Sequence, residues 1–348
     1  MSKNESNEVF LSLSYRVLLN LESLNSVETV GNLVRHRTAP IVTGQNSTYS
    51  IRFVPTISGE SLAHAYQVQL VEEAKKRGLP LSEESERGEF IKFTDDEFLK
   101  RYNIPIPSNE MEIRNAEMEI MLKDYVCDVG GFLYAGNYPV KRTSTFQVGY
   151  MIPAVFEVEA AALEAQFHVR HAPSSMKQYQ QPYNVEVGSA VYTFTFNMHL
   201  SQIATPSTSF GKTDGEKEKR LLSEKDSRVV GALSALSTFL TQLLFGAKRS
   251  RFLPNTEPLS AVAALSIGTT FIVSPGNSKN FIRDSIERKN HFTSLLEESQ
   301  TDKAQIHMLA MDRENAAEGI EQIEVARTPE EFMKKIINTV KQSTNLIP

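Results

Sequence analysis

The feature that most limits what this chain can fold into is a run of strict alternation near its start. Val9, Leu11, Leu13, Tyr15, Val17, Leu19 and Leu21 alternate with Phe10, Ser12, Ser14, Arg16, Leu18 and Asn20. That period of two is the pattern of a half-buried strand. Residues 163–170 and 185–200 alternate in the same way and predict further strands, and another is expected over 259–267. Between them lie helices. Ser58 stands as an N-cap before Leu62, Tyr66, Leu70 and Ala74, with Gly78 as the stop. A charged run at 215–220 leads into a second helix ending near Phe245 and Gly246, with Val229, Leu233, Leu236, Leu240 and Leu243 on its apolar face. Thr328-Pro329-Glu330-Glu331 reads as a capping box for a last helix over 329–342.

The remaining stretches punctuate this frame. A loop rich in Thr, Gly and Asn follows the first strand. Residues 79–128 are mixed, with a strand-like segment at 89–94, and the glycines, prolines and aromatics of 129–156 suggest a hairpin-like excursion. Without the excursions the order is strand, helix, strand, strand, helix, strand. This is the α+β, ferredoxin-like or RRM-like βαββαβ order. The expected organisation is one elaborated domain over 1–348, with an inserted finger-like or thumb-like region at 79–160, loop insertions at 172–184 and 201–226, and a C-terminal extension from 268.

Two long uncharged stretches, 229–247 and 258–278, do not predict membrane spans. The first is amphipathic, and the second is broken by Gly268, Pro275 and Gly276. Cys127 is the sole cysteine, which excludes an intramolecular disulfide and a cysteine-built metal cluster. With no basic region followed by an apolar run at the start, a cytoplasmic setting is expected.

The net charge of -5 excludes a protein that coats a polyanion through its overall charge. Its distribution is more informative. Windows 29–59, 129–156, 165–185 and 227–256 contain eleven Lys and Arg residues and no acid, leaving -16 on the rest. Each holds a basic cluster beside hydroxyl or aromatic residues: 35–38, 141–144, 168–171 and 248–252. Such groups neutralise phosphates and donate to ribose oxygens. On the predicted strand, Gln166, His168 and Arg170 share one face, opposite Phe167 and Val169. His168 and His171 would face opposite sides, which counts against a shared metal. The 58–61 turn reads as an ordinary cap, Asp124 and Asp128 as surface carboxylates, and Cys127 as buried and inert.

Several longer motifs carry a resemblance. These include Gly-Asn-Leu-Val-Arg-His-Arg-Thr-Ala-Pro at 31–40, Ile-Ser-Gly-Glu-Ser-Leu-Ala-His-Ala-Tyr at 57–66, Asp-Val-Gly-Gly-Phe-Leu-Tyr-Ala-Gly at 128–136, Gly-Tyr-Met-Ile-Pro-Ala at 149–154, Glu-Ala-Gln-Phe-His-Val-Arg at 164–170 and Gly-Ala-Lys-Arg-Ser-Arg-Phe-Leu-Pro at 246–254. In this order they resemble the DevR-like CRISPR-associated family, the archaeal type I-A Cascade backbone subunit of the RAMP superfamily. The resemblance runs from about residue 9 to 267. It implies a crescent-shaped, hand-like subunit that polymerises along CRISPR RNA and presents it to target DNA in antiviral defence.

The resemblance further implies no catalytic role and no cofactor. The implied partners are CRISPR RNA, target DNA through guide pairing, further copies of the chain, other Cascade subunits and a helicase-nuclease. Carried over by motif, the RNA contacts would be Arg35, His36, Arg37 and Thr38; Lys141, Arg142, Thr143 and Ser144; Gln166, His168 and Arg170; and Lys248, Arg249, Ser250 and Arg251. Met151 would be a wedge on a thumb at 149–153. The chain departs from related backbone proteins at Ala63 and His64, where those carry Lys. The competing reading is a metal-independent CRISPR RNA-processing endoribonuclease on a related RRM-like fold, with His168 or His36 as general acid or base.

Overall fold

The first strand, β1 (Val9–Glu22), lies in the interior of a ten-stranded mixed sheet. The structure, a computed structural model, describes residues 8–45, 48–169, 182–243, 245–298, 304–321 and 323–348. After β1 come β2 (Ser26–Val30), β3 (Leu33–His36), β4 (Thr38–Gln45), β5 (Thr48–Pro55) and α1 (Gly59–Arg77). Short helices α2 (Glu83–Glu86) and α3 (Asp96–Arg101) precede α4 (Ile113–Lys123) and α5 (Tyr125–Gly130). Strands β6 (Phe132–Tyr134), β7 (Val140–Arg142), β8 (Phe146–Val148) and β9 (Ile152–Pro153) lead to the edge strand β10 (Ala162–Val169) and the long β11 (Pro182–His199). The chain ends with α6 (Gly215–Gln242), β12 (Asn255–Ile267), α7 (Phe281–Glu298), β13 (Gln305–Asp312), β14 (Glu324–Ala326) and α8 (Pro329–Ser343).

The sheet runs β14-β13-β12-β1-β11-β3-β2. β1 is antiparallel to both neighbours, with Leu13 opposite Phe196 on one side and Ala263 on the other. The far edge of β11 is covered in series by β10, β9 and β8, all antiparallel. Two-stranded ribbons β4-β5 and β6-β7 stand apart from the sheet.

On one face of β1, Val9, Leu11, Leu13, Tyr15, Val17 and Leu19 join a core with Leu62, Tyr66 and Leu70 of α1 and Leu233, Leu236 and Leu240 of α6. The ends of α1 and the start of α8 are as the sequence predicts, whereas α6 stops at Gln242, with Leu243 left-handed at φ 46°, before the expected end near Phe245 and Gly246. Ser58 accepts from the Ser61 amide at 3.2 Å, Gly78 closes α1 at φ 64°, and Thr328 caps α8. Glu331 reaches back to the Arg327 amide at 2.8 Å, one residue earlier than the reciprocal bond of a capping box.

Four expectations are corrected. β1 is buried on both faces: Ser12, Ser14 and Arg16 have no exposure. The chain after residue 268 folds back over the second face, where Phe271, Val273, Phe281 and Ile282 pack on Val262 and Ala264. The Val273 amide donates to Ser12 Oγ at 3.2 Å and the Arg16 guanidinium to the Gly276 carbonyl at 2.8 Å. A Cβ on Gly276 would come within 2.4 Å of Thr193 Oγ1 and 2.7 Å of Arg16 Cγ, so this crossing requires glycine.

The segment 89–94 is not a strand; Lys92 and Phe93 have φ of 62° and 53°, and Phe93 turns into the core. Asp124 and Asp128 are buried rather than on the surface. Residues 182–184 belong to β11 rather than to a loop, while 170–181, including Arg170 and His171, lie outside the described residues. Cys127 is buried, and burial pushes its thiol well above the usual thiol range. Among the described residues no helix is long and apolar enough to cross a membrane.

Candidate nucleic-acid interface

Three of the four basic clusters meet at the N-terminal end of β11. Asn184 and Val185 pair with Leu33 and Val34 of β3 on one side and with Phe167 and Gln166 of β10 on the other. Continuing that register, Arg35 lies level with Glu186 and Ala165, two strand spacings, about 10 Å, from β10. The segment after α6 crosses the same end, with the Ala247 amide donating to the Leu24 carbonyl at 2.8 Å. This brings Arg251 NH1 to 2.9 Å from the Tyr183 hydroxyl.

At the centre of the convergence is a small aromatic cluster. The His168 ring stacks on Tyr183, its cross-strand partner, with centroids 5.3 Å apart, and meets the edge of Phe252 at 5.4 Å. Gln166 and His168 occupy the half-buried face, while Phe167 and Val169 are 65% and 59% exposed.

Two nitrogens here are enclosed without a hydrogen-bond partner, His168 Nε2 and Lys248 Nζ. Desolvation, reinforced by Arg251, lowers the Lys248 pKa, so an approaching anion would relieve an unfavourable charge. Lys248 also holds a left-handed backbone, φ 57°. Arg249 is half-buried, and Ser250 and Arg251 are exposed.

At the β3 corner Arg35 is exposed and pairs with the equally exposed Glu28 at 3.5 Å, an interaction of little net strength. Arg37 and Thr38 are half-buried, and Arg37 Nε has no partner. His36 is corrected: it is 2% exposed and turned inward, 2.6 Å from Glu22, and reaches no ligand at the surface. This also removes it as a general acid or base toward RNA.

The fourth cluster lies apart. Lys141, on β7, and Thr143 are exposed and Ser144 is half-buried, the latter two on the β7-β8 connection near the opposite end of β11. Arg142 is corrected, because it is 3% exposed and already saturated. It donates to the Asp128 carbonyl at 2.7 Å, Asp128 Oδ1 at 2.5 Å, the Gln202 carbonyl at 3.0 Å and the Thr205 carbonyl at 2.8 Å. Asp128 Oδ2 in turn accepts from Arg228 at 2.8 Å. Two of the eleven cations counted in the acid-free windows are thus internal counter-ions.

Met151 is corrected as well. It has no exposure, and its amide and carbonyl exchange bonds with Ile57 at 2.9 and 3.0 Å. Residues 152–153 form β9 on β11, so this segment is part of the sheet and not a projecting thumb.

The element that does project apolar surface is the β4-β5 ribbon, expected only as a loop. Tyr49, Ile51 and Phe53 are 79%, 67% and 75% exposed, with Val42, opposite Ile51, at 61%. The other side of the ribbon rests on residues 152–159 through Ile41, Val54 and Val158, and Arg52 pairs with Glu159 at 2.7 Å. The alternation of Tyr49, Ile51 and Phe53 with Ser50, Arg52 and Val54 was the available signal.

Over residues 13–286 the chain matches the family described as CRISPR-associated negative auto-regulator DevR/Csa2. It is 48% identical over 279 residues to the CRISPR-associated aCascade subunit Cas7/Csa2 2 of Saccharolobus solfataricus, covering 80% of this chain and 86% of that protein. It is 38% identical over 259 residues to the CRISPR-associated protein Cas7/Csa2 1 of the same organism, covering 73% and 78%. Two solved structures, described as CRISPR RNA-guided surveillance complex and its pre-nicking form, share the fold at 10% identity with TM-scores of 0.50 and 0.51. Each match covers 95% of this chain and 99% of the other.

Proposed function

This chain belongs to the DevR/Csa2 family of CRISPR-associated proteins, and from that membership we propose that it is a backbone subunit of a type I-A Cascade surveillance complex. In this reading it assembles copy beside copy along CRISPR RNA and holds the guide for pairing with target DNA, in company with other Cascade subunits and a helicase-nuclease. The observation that carries the RNA-binding role is the convergence of Arg35, His168, Lys248 and Arg251 with Tyr183 and Phe252 at one end of β11. Cations neutralise the phosphates and rings offer stacking surface, and neither demands a particular base. Sequence reading is left to the guide.

Lys141, Thr143 and Ser144 serve as a second contact farther along the strand, and Arg249 and Ser250 extend the first. The apolar face of the β4-β5 ribbon takes the thumb role between neighbouring copies. An RRM-like core is supported by the order β12-β1-β11 with β8 and β9 beyond, all neighbours antiparallel, and by α1 and α6 on one face. No residue is assigned a catalytic role.

The test is to purify the chain and record absorbance at 260 and 280 nm. With no Trp and 11 Tyr, bound RNA dominates the ratio. A protein-like ratio, together with no binding of added single-stranded RNA at low salt, would refute the reading.

A further inference from the structure

His36 sits between two residues of the RNA-facing corner and is itself withdrawn from the surface. Both of its ring nitrogens face acceptors: Nδ1 is 2.8 Å from the Arg37 carbonyl oxygen, and Nε2 is 2.6 Å from Glu22 Oε1. A neutral imidazole has one N–H and leaves one of these acceptors facing a lone pair; the imidazolium serves both. The Nε2 approach is off-axis for a hydrogen bond, so opposite charge rather than alignment holds it.

Glu22 makes the same demand from its side. It has no exposure, accepts from the Tyr192 hydroxyl and the Leu24 amide at 2.8 Å each, and among the described residues has His36 as its sole cationic neighbour. A buried carboxylate without a counter-charge is strongly unfavourable. The space is built closely around it, since a Cβ on Gly188 would fall 2.6 Å from Glu22 Oε1. The clasp spans three strands. Glu22 ends β1, Tyr192 lies on β11, and the His36 amide donates to Glu186 of β11 at 2.8 Å. The carbonyl that Nδ1 holds also accepts from the Thr56 amide at 2.9 Å, and the Arg37 amide donates to the Asn25 carbonyl at 2.9 Å.

We infer that protonated His36 is a positioning residue, clasping the β3 corner to β1 through Glu22 so that Arg35 and Arg37 are presented to RNA, and that this grip weakens when His36 loses its proton. The inference rests on the RNA-binding reading above. The groups facing the ring are Glu22 from β1, Glu186 from β11 and the Arg37 backbone, with Tyr192 acting through Glu22. Burial, the largest influence, pushes the imidazole pKa down, but Glu22, the Arg37 carbonyl and Glu186 together raise it above the ordinary histidine value. With a raised folded pKa, the linked stability is fully present below the unfolded value of about 6.5 and is lost as pH rises through the folded pKa.

The experiment measures affinity of the full chain for single-stranded oligo(U) from about pH 5.5 to about 8.5, bracketing the histidine range. Wild type is compared with His36→Gln, which cannot titrate, and Glu22→Gln, which removes the counter-charge. Wild-type affinity should fall by about tenfold across the range, the scale of one titrating interaction. His36→Gln should flatten that fall, and Glu22→Gln should move the midpoint to lower pH. Equal slopes in wild type and His36→Gln, or an unmoved midpoint in Glu22→Gln, would overturn the clasp while leaving RNA binding intact. No RNA binding by wild type at any pH would instead overturn the function on which the clasp depends.

Discussion

Arg16 and Glu314, 298 positions apart in the chain, meet with Arg16 Nε 2.8 Å from Glu314 Oε1 in a place where Arg16 has no exposure. Glu314 also accepts from Ser260 Oγ at 2.5 Å, and Glu157 approaches Arg16 NH2 at 3.1 Å. One cation in the second face of the sheet thus ties together the first strand, the 155–160 turn and the C-terminal extension. Removing Glu314 leaves Arg16 with Glu157 and the Gly276 carbonyl as its remaining partners. Glu314→Ala should therefore cost about 1.5–3 kcal/mol in unfolding free energy, the scale of a lost charged hydrogen bond, read by urea denaturation. A loss below about 0.5 kcal/mol, the range of ordinary surface changes, would show that the pair is dispensable.

Arg142 differs from the residues assigned to RNA because it, too, is a buried counter-ion. Arg142→Ala leaves Asp128 and Glu117 short of a buried cation, so the effect should be a stability loss of about 3–5 kcal/mol. RNA affinity of the folded fraction should match wild type, whereas the neighbouring exposed Lys141→Ala should show the opposite pattern. Denaturation and filter binding on both variants check this.

Met151 and the ribbon make a second contrasting pair. Met151→Ala opens a hole in the core and should cost about 2–5 kcal/mol. Tyr49→Ser with Phe53→Ser alters exposed side chains and should leave the melting temperature near wild type. Its effect should appear as shorter assemblies on long RNA, seen by size exclusion with light scattering. Wild-type assembly length in that double variant would remove the ribbon from the junction between copies.

At the convergence site, His168→Ala with Arg251→Ala should weaken single-stranded RNA binding by tenfold or more without unfolding the chain. The log-log dependence on salt should become shallower by about 0.7, because one phosphate is no longer neutralised by Arg251. Unchanged affinity would exclude this end of β11.

The local physics of the fold is legible in the sequence. Ser58, Gly78 and Thr328 do what their cap positions predict, because a cap is decided by a few neighbouring residues. The alternation of β1 likewise marks a strand, yet it makes the polar positions look wet. Ser12, Ser14 and Arg16 are dry because residues some 260 positions later cover them. No local pattern carries that fact.

The charge windows mislead for a related reason. Asp128 lies immediately outside the window that contains Arg142, Glu117 is 25 positions from Arg142, and Glu224, one helical turn before Arg228, falls just outside the window that begins at 227. Spatial pairing turns two counted cations into internal counter-ions. The basic clusters at 35–38, 168 and 248–251 stand out in the sequence as groups, but their adjacency depends on the register of β3 and β10 on β11.

The double burial of β1 has a consequence for how any nucleic acid meets this protein. A sheet with one open flat can receive unstacked bases across its middle. Here helices cover one flat at β1, and the chain from residue 268 onward covers the other. The rings and cations left accessible are at the rim, where strands begin and ribbons leave the sheet. A polynucleotide would therefore run past the perimeter of each copy, touching it at separated points.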